Sequence, residues 1–157
     1  MTAEATHLRE YSLVEHLGRC QRLWRMVADA ELAPLGLTHP RWTALWKLKR
    51  MGDGVSQKQL AESLEIELPS LMRTLGQLEE QGLVTRVSCT QDKRARIVNT
   101  TEAGRQVLAQ LESRIVKIRA EMLQDVSSEQ LKIFEQVLSQ ITQSALDKLD
   151  QLKTLDR

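Results

Sequence analysis

Four polar residues at helical spacing carry the first chemical signal. Ser70, Arg73, Thr74 and Gln77 recur three and four positions apart within Leu68-Pro69-Ser70-Leu71-Met72-Arg73-Thr74-Leu75-Gly76-Gln77-Leu78, so a helix would gather them on one side. The set combines short donors, one long cation and no carboxylate, which suits hydrogen bonding to base edges in a duplex groove. Arg73 can offer a two-pronged donor to guanine O6 and N7, an arrangement worth roughly 1–3 kcal/mol of discrimination. Leu68 adds an apolar contact for a thymine methyl. Glu79 and Glu80 come at the far end, away from phosphates.

The neighbouring residues say what must hold this face in place. Leu71, Leu75 and Leu78 fall on the other side of the same helix and predict its buried stripe. Pro69 suits the first turn and Gly82 the C-terminal stop. Upstream, Ser56 and Gln59 form a capping box that opens a short helix with Leu60, Ala61 and Leu64 inside. The link Glu65-Ile66-Glu67 is brief, so the two helices must meet at an angle as a helix-turn-helix. Downstream, residues 83–89 and 94–99 are two β-rich runs around a polar tip, which predicts a hairpin. A hairpin in that place is a wing. Its cations Arg86, Lys93 and Arg96 are candidate phosphate contacts, with an ordinary solvated hairpin as the plainer reading.

Leu68-Pro69-Ser70-Leu71-Met72-Arg73-Thr74-Leu75, Leu78-Glu79-Glu80-Gln81-Gly82-Leu83-Val84 and Asp92-Lys93-Arg94-Ala95 together resemble the MarR family of winged-helix regulators, nearest its SlyA branch. The likeness runs from about Leu17 through the C-terminal helix, and its most specific part is the Asp92-x-Arg94 wing tip. It implies a mainly α fold with a small β-hairpin wing: one MarR-type domain over residues 1–157, with a winged helix-turn-helix lobe at 38–100. Residues 1–36 and 101–157 would be N- and C-terminal dimerisation helices. The implied function is a sequence-specific DNA-binding regulator. Arg94 would enter the minor groove with Asp92 fixing its guanidinium, favouring A·T-rich sites. A two-fold dimer would read inverted half-sites about one helical turn apart, either occluding a promoter or displacing a silencer.

The remaining elements agree with that organisation. A first helix is expected from about His7 to Ala33, with an apolar stripe of Leu13, Leu17, Cys20, Trp24 and Val27, ended by Pro34-Leu35-Gly36. Thr38 caps a second helix whose inner face is Trp42, Leu45, Trp46 and Leu48. Beyond the wing a long helix carries Leu108, Leu111, Ile115, Ile118 and Met122. Ser127 and Gln130 cap the last, with Leu131, Phe134, Leu138, Ile141, Ala145, Leu149 and Leu152 as its seam. Such seams want partner helices, in a bundle or in a dimer.

Composition removes other classes. The 157 residues carry a net charge of +1 and a pI near 7.8, which argues against nonspecific coating of nucleic acid but leaves a local basic face open. No stretch approaches the roughly 18 apolar residues of a membrane span. Residues 1–6 show neither a basic start nor an apolar run, so a cytoplasmic protein is expected. His7, His16 and His39 are scattered, and no phosphate loop, nucleophile elbow or paired catalytic carboxylate stands out, so neither an enzyme nor a metal or cofactor is expected.

Two further readings stay open. The family resemblance implies a pocket for a small aromatic carboxylate, with Arg22, Trp24, Thr38, Trp42 and Trp46 on the helices that would line it. Tryptophans at helical spacing also read simply as core, and Trp46 and Pro40 depart from the SlyA branch. Cys20 and Cys89 match no metal-ligand or disulfide spacing. Cys20 beside Arg19 and Arg22 is the candidate for a redox-sensing alternative. A helical protein-interaction module without specific DNA binding is the rival from another class, and a wing tip rich in cations gives it no use.

Overall fold

A computed structural model of the chain describes residues 3–88 and 95–157, and of residues 3–11 the backbone alone. Cys89, Asp92, Lys93 and Arg94 lie outside the described residues. The elements run α1 (Ala3–Leu32), a short 3-10 turn (Ala33–Leu35), α2 (His39–Met51), β1 (Val55–Ser56) and α3 (Gln57–Leu64). Then follow α4 (Leu68–Glu80), β2 (Val84–Ser88), β3 (Arg96–Thr100), α5 (Glu102–Met122) and α6 (Ser128–Leu155). The fold is thus mostly helical with a small three-stranded antiparallel sheet, the winged-helix arrangement. No helix among the described residues is long and apolar enough to cross a membrane.

Local chemistry sets the boundaries. Ser56 Oγ accepts the Gln59 N–H at 3.1 Å and Gln59 Oε1 accepts the Ser56 N–H at 3.0 Å, which satisfies two otherwise orphaned donors at the start of α3. Ser127 and Gln130 repeat this reciprocal cap at α6, at 3.1 and 3.0 Å. Glu65 ends α3 in the left-handed region, at φ 55°. Its N–H bonds to the Glu62 carbonyl at 3.1 Å, and the Ile66 N–H reaches the Ala61 carbonyl at 3.1 Å. That reversal turns the chain into α4 within three residues. Pro69 lies in the first turn of α4, where its missing N–H costs nothing.

The two expected wing strands pair antiparallel, with Arg86 opposite Val98 and Ser88 opposite Arg96. A third strand was not foreseen. β1 adds only Val55↔Val98 and Ser56↔Ile97 to the far edge of β3, and two residues are too few to show an alternating pattern.

By packing, the chain divides into two units, one running to Ile118 and one from Arg119 to Arg157. The core of the first unit joins Leu32, Leu37, Leu45, Leu48, Leu60, Leu71, Leu75, Leu78, Val84, Val98, Leu108 and Leu111. Gly104 permits one close approach in it: a Cβ there would stand 2.1 Å from the Leu83 carbonyl oxygen. Thr101 fixes the same junction, its N–H donating to the Leu83 carbonyl at 3.0 Å while its hydroxyl accepts the Gly104 N–H at 3.0 Å.

The terminal helices behave differently. Of the stripe expected on α1, Leu13, Cys20 and Trp24 are exposed, and it is Ala28 and Leu32 that enter the core. Leu17 and Val27 of the same stripe are half-buried. No residue of α6 is buried, and Phe134, Ile141 and Leu149 of its seam are each about half exposed, at 50%, 46% and 53%.

Candidate nucleic-acid interface

Helix α4 has one sealed side and one open side. Leu71, Leu75 and Leu78 have no solvent exposure at all, so burial fixes the rotation of the helix and with it what the rest of the surface presents. Ser70 and Arg73 are exposed, and Arg73 has no partner among the described residues. Gln77 is half-buried beside them, its carbonyl oxygen accepting from Arg41 Nε at 3.2 Å. Arg41, on α2, also donates to Gln81 at 3.4 Å, and the Gln81 amide donates to the Gly36 carbonyl at 3.3 Å. That chain braces the α2-facing side of the helix. On the other flank Met72 is exposed, as is Leu68 at the helix start.

Thr74 does not join the open face. It is 8% exposed and its hydroxyl donates to the Ser70 carbonyl at 3.2 Å. One position before Leu75 and four before Leu78, it turns with the leucine stripe, and a threonine satisfies its own hydroxyl there by bonding back one turn. The polar residues at 70, 73, 74 and 77 therefore do not make one face; the described face is Ser70, Arg73 and Gln77.

Arg86 is engaged within the protein rather than free on the surface of the wing. Expected as a phosphate contact, its side chain is only 15% exposed and pairs with Glu79 at 3.3 Å. It donates further to Gln57 Oε1 at 3.3 Å and, over 3.5 Å, toward the Met72 carbonyl. Its Nε is buried and meets no acceptor among the described residues. A guanidinium so engaged lies across α4. The Arg86 hydrogen bond holds the Glu79 carboxyl below the usual carboxylate range, against a smaller opposing push from burial, and the charge of Arg96 adds to the effect. Arg96 itself is exposed on β3. Asp92, Lys93 and Arg94 fall in the segment outside the described residues.

The five residues expected around a ligand are not brought together. Arg22 and Trp24 are both exposed on α1, two positions and so about 200° apart around it, which prevents them from facing the same space. Thr38 caps α2 in an extended conformation without a side-chain bond. Trp46 is half-buried against the core, with Lys49 Nζ 6.0 Å from its ring centre. Trp42 donates its indole N–H to Asp29 Oδ1 at 2.8 Å, and His39 Nδ1 stands 2.8 Å from the same oxygen. Burial raises the Asp29 pKa, but the hydrogen bonds from Trp42 and His39 and the charges of His39 and Arg25 outweigh it and leave the carboxyl below its ordinary value. Cys20 is an exposed free thiol.

Asp29, Arg41, Gln57 and Glu79 thus position the expected residues and were missed as such. No periodic signal marks them, since each acts between different elements rather than within one. Among the described residues no group of His, Cys, Asp and Glu is arranged to hold a metal ion.

The model of the MarR family matches residues 37–95, which span α2, the helix-turn-helix and β2. A crystal structure of the transcriptional regulator PA3341 superposes with a TM-score of 0.79 at 32% identity, over 86% of this chain and 98% of that one. The chain belongs to the MarR family. Two more distant structures share the fold. The MarR family transcription regulator SP03579 matches with a TM-score of 0.81 at 18% identity, over 92% of this chain and 95% of its own. CouR from Rhodococcus jostii RHA1, solved bound to p-coumaroyl-CoA, matches at 0.71 and 22% identity, over 80% and 87%. PA3341 and SP03579 are transcriptional regulators, as befits the MarR family, rather than enzymes.

Proposed function

We propose that this MarR-family chain is a cytoplasmic transcriptional regulator that binds inverted-repeat, A·T-rich operators as a homodimer. The open side of α4 carries the reading: Ser70 and Arg73 stand in solvent on a helix whose rotation is locked by three fully buried leucines and whose flank is braced by Arg41. Rigid presentation of a short polar row is what major-groove readout requires. Arg73 reads guanine, Ser70 and the Gln77 amide take neighbouring base edges, and Leu68 with Met72 offers apolar contact to thymine methyls. Lys93 and Arg96 take phosphates, and Arg94, steadied by Asp92, takes the minor groove. MarR regulators bind DNA as dimers, and the uncovered apolar seam of α6 supports the same for this chain. Residues 1–36 and 101–157 are assigned to dimerisation and 38–100 to DNA binding. The motifs at 68–84 and 92–95 favour the SlyA branch, acting by promoter occlusion or by displacing a silencer.

An aromatic carboxylate or a related acyl ligand is the effector class to try first. CouR was solved bound to p-coumaroyl-CoA, and in this chain Trp42 and Trp46 on α2 supply the aromatic rings beside the core. Arg22 and Trp24 lie on different sides of α1, so at most one of them would join such a ligand with Thr38. Binding would act by changing the separation of the two recognition helices. Equal operator affinity with and without every such acid would remove this part of the proposal.

The test of the main proposal is selection of bound duplexes from a random pool at physiological salt, for the wild type and Arg73→Ala. The wild type is expected to enrich an inverted repeat with half-sites about one turn apart, and Arg73→Ala to lose it. If neither protein enriches any repeat, an interaction module becomes the better account.

A further inference from the structure

One side chain joins the wing to both helices of the helix-turn-helix. From β2, Arg86 Nη1 donates to Gln57 Oε1 on α3 at 3.3 Å and points at the Met72 carbonyl in the first half of α4, over 3.5 Å. Nη2 pairs with Glu79 Oε1 in the second half of α4 at 3.3 Å, and the Arg86 backbone N–H donates to Glu79 Oε2 at 3.1 Å. Glu79 therefore grips strand and side chain at once. The guanidinium crosses α4 over Gly76, where an added Cβ would come within 3.7 Å of Nη2, leaving little room for a longer side chain. A planar fork with fixed donor directions can hold three elements at set angles in a way a lysine cannot.

We infer that Arg86 and Glu79 are positioning residues that fix the angle between the wing strand and the recognition helix, and so determine operator specificity without touching DNA. The inference rests on the DNA-binding reading above. If α4 enters the major groove, the wing reaches the neighbouring groove only at one angle to it, and that angle is held at Arg86. Glu79 distinguishes this role from a phosphate contact, because its carboxylate competes with any phosphate for the Arg86 guanidinium. Were Arg86 a phosphate contact, removing the Glu79 charge would release it and strengthen binding. If it is a positioning residue, removing Glu79 weakens binding.

The experiment uses the duplex that the wild type selects and a scrambled duplex of equal length, titrated across a salt series with Arg86→Gln, Glu79→Gln and the exchanged pair Arg86→Glu/Glu79→Arg. Both single variants are expected to lose roughly tenfold or more in the ratio of specific to scrambled affinity, as expected when a charge-assisted pair is broken. The slope of log affinity against log salt should stay as in the wild type, and the exchanged pair should recover part of the ratio. A slope reduced by about one contact in Arg86→Gln would make Arg86 a phosphate ligand and overturn the inference. So would wild-type or tighter binding by Glu79→Gln, or a fall in melting temperature with the affinity ratio unchanged. Should Arg86→Gln not fold, Glu79→Gln decides alone, since its side chain is 42% exposed and its loss leaves no cavity. A wild type that prefers no duplex would instead refute the DNA-binding reading itself.

Discussion

Helices α4 and α6 carry much the same alphabet, leucines and other apolar residues at three- and four-residue spacing among polar ones, and they end in opposite conditions. On α4 the stripe of Leu71, Leu75 and Leu78 is wholly buried, and on α6 the seam of Phe134, Ile141 and Leu149 remains about half exposed, at 50%, 46% and 53%. Periodicity therefore states what a helix can bury, and only the neighbours decide whether it does. For α4 those neighbours come from the same unit, so its open side is fixed by its closed one. On α6 no residue is buried, and a second copy is the occupant we propose.

The contrast can be broken most sharply in the core. Leu75→Ala should cost about 2–5 kcal/mol of stability in denaturant unfolding, because truncating a fully buried leucine loses its burial and leaves a cavity. A truncation there that left the midpoint unchanged would mean the stripe is not sealed. Phe134→Asp should act on assembly instead, removing roughly 1.5–3 kcal/mol of apolar burial per copy. Sedimentation would show the dimer dissociating while circular dichroism keeps the helix content of the winged lobe. If the variant stayed a dimer, the α6 seam would not be the interface.

Gly104→Ala places a methyl 2.1 Å from the Leu83 carbonyl oxygen, so the backbone between α4 and β2 must shift. Overpacking of this kind costs about 1–3 kcal/mol, readable as a lower melting temperature. The smallest effect is expected from protons on Glu79. Its folded pKa is depressed by Arg86, so its contribution is present above the unfolded carboxylate value, about 4.3, and fades as pH falls through the lower folded value. The melting-temperature gap between wild type and Glu79→Gln should be full at neutral pH and close in acid. A gap that widened on acidification would contradict the pairing.

Where bonding is local, the sequence was enough. Both capping boxes join residues three apart, and Ser56–Gln59 and Ser127–Gln130 appear as their spacing demands. Pro69 and the leucine stripe likewise placed α4. Thr74 was misread because polarity was taken as exposure, although its position lies within the buried arc and its hydroxyl closes on its own helix. The engagement of Arg86 is not legible in the same way, because a cation in a wing suggests phosphate and the pattern of a strand cannot show that Glu79 faces it across a turn. Asp29 drawing in Trp42 and His39, and Arg41 bracing Gln77, are likewise contacts between elements. Spacing along the chain does not encode them.

The most direct test of a dimer that reads DNA through α4 is helical phasing. The selected operator would be compared with one carrying about five extra base pairs between its half-sites, half a turn of the duplex. The account predicts that affinity falls to that of a single half-site, because the two recognition helices then face opposite sides of the DNA. Undiminished affinity for the lengthened operator would contradict a rigid two-fold reader.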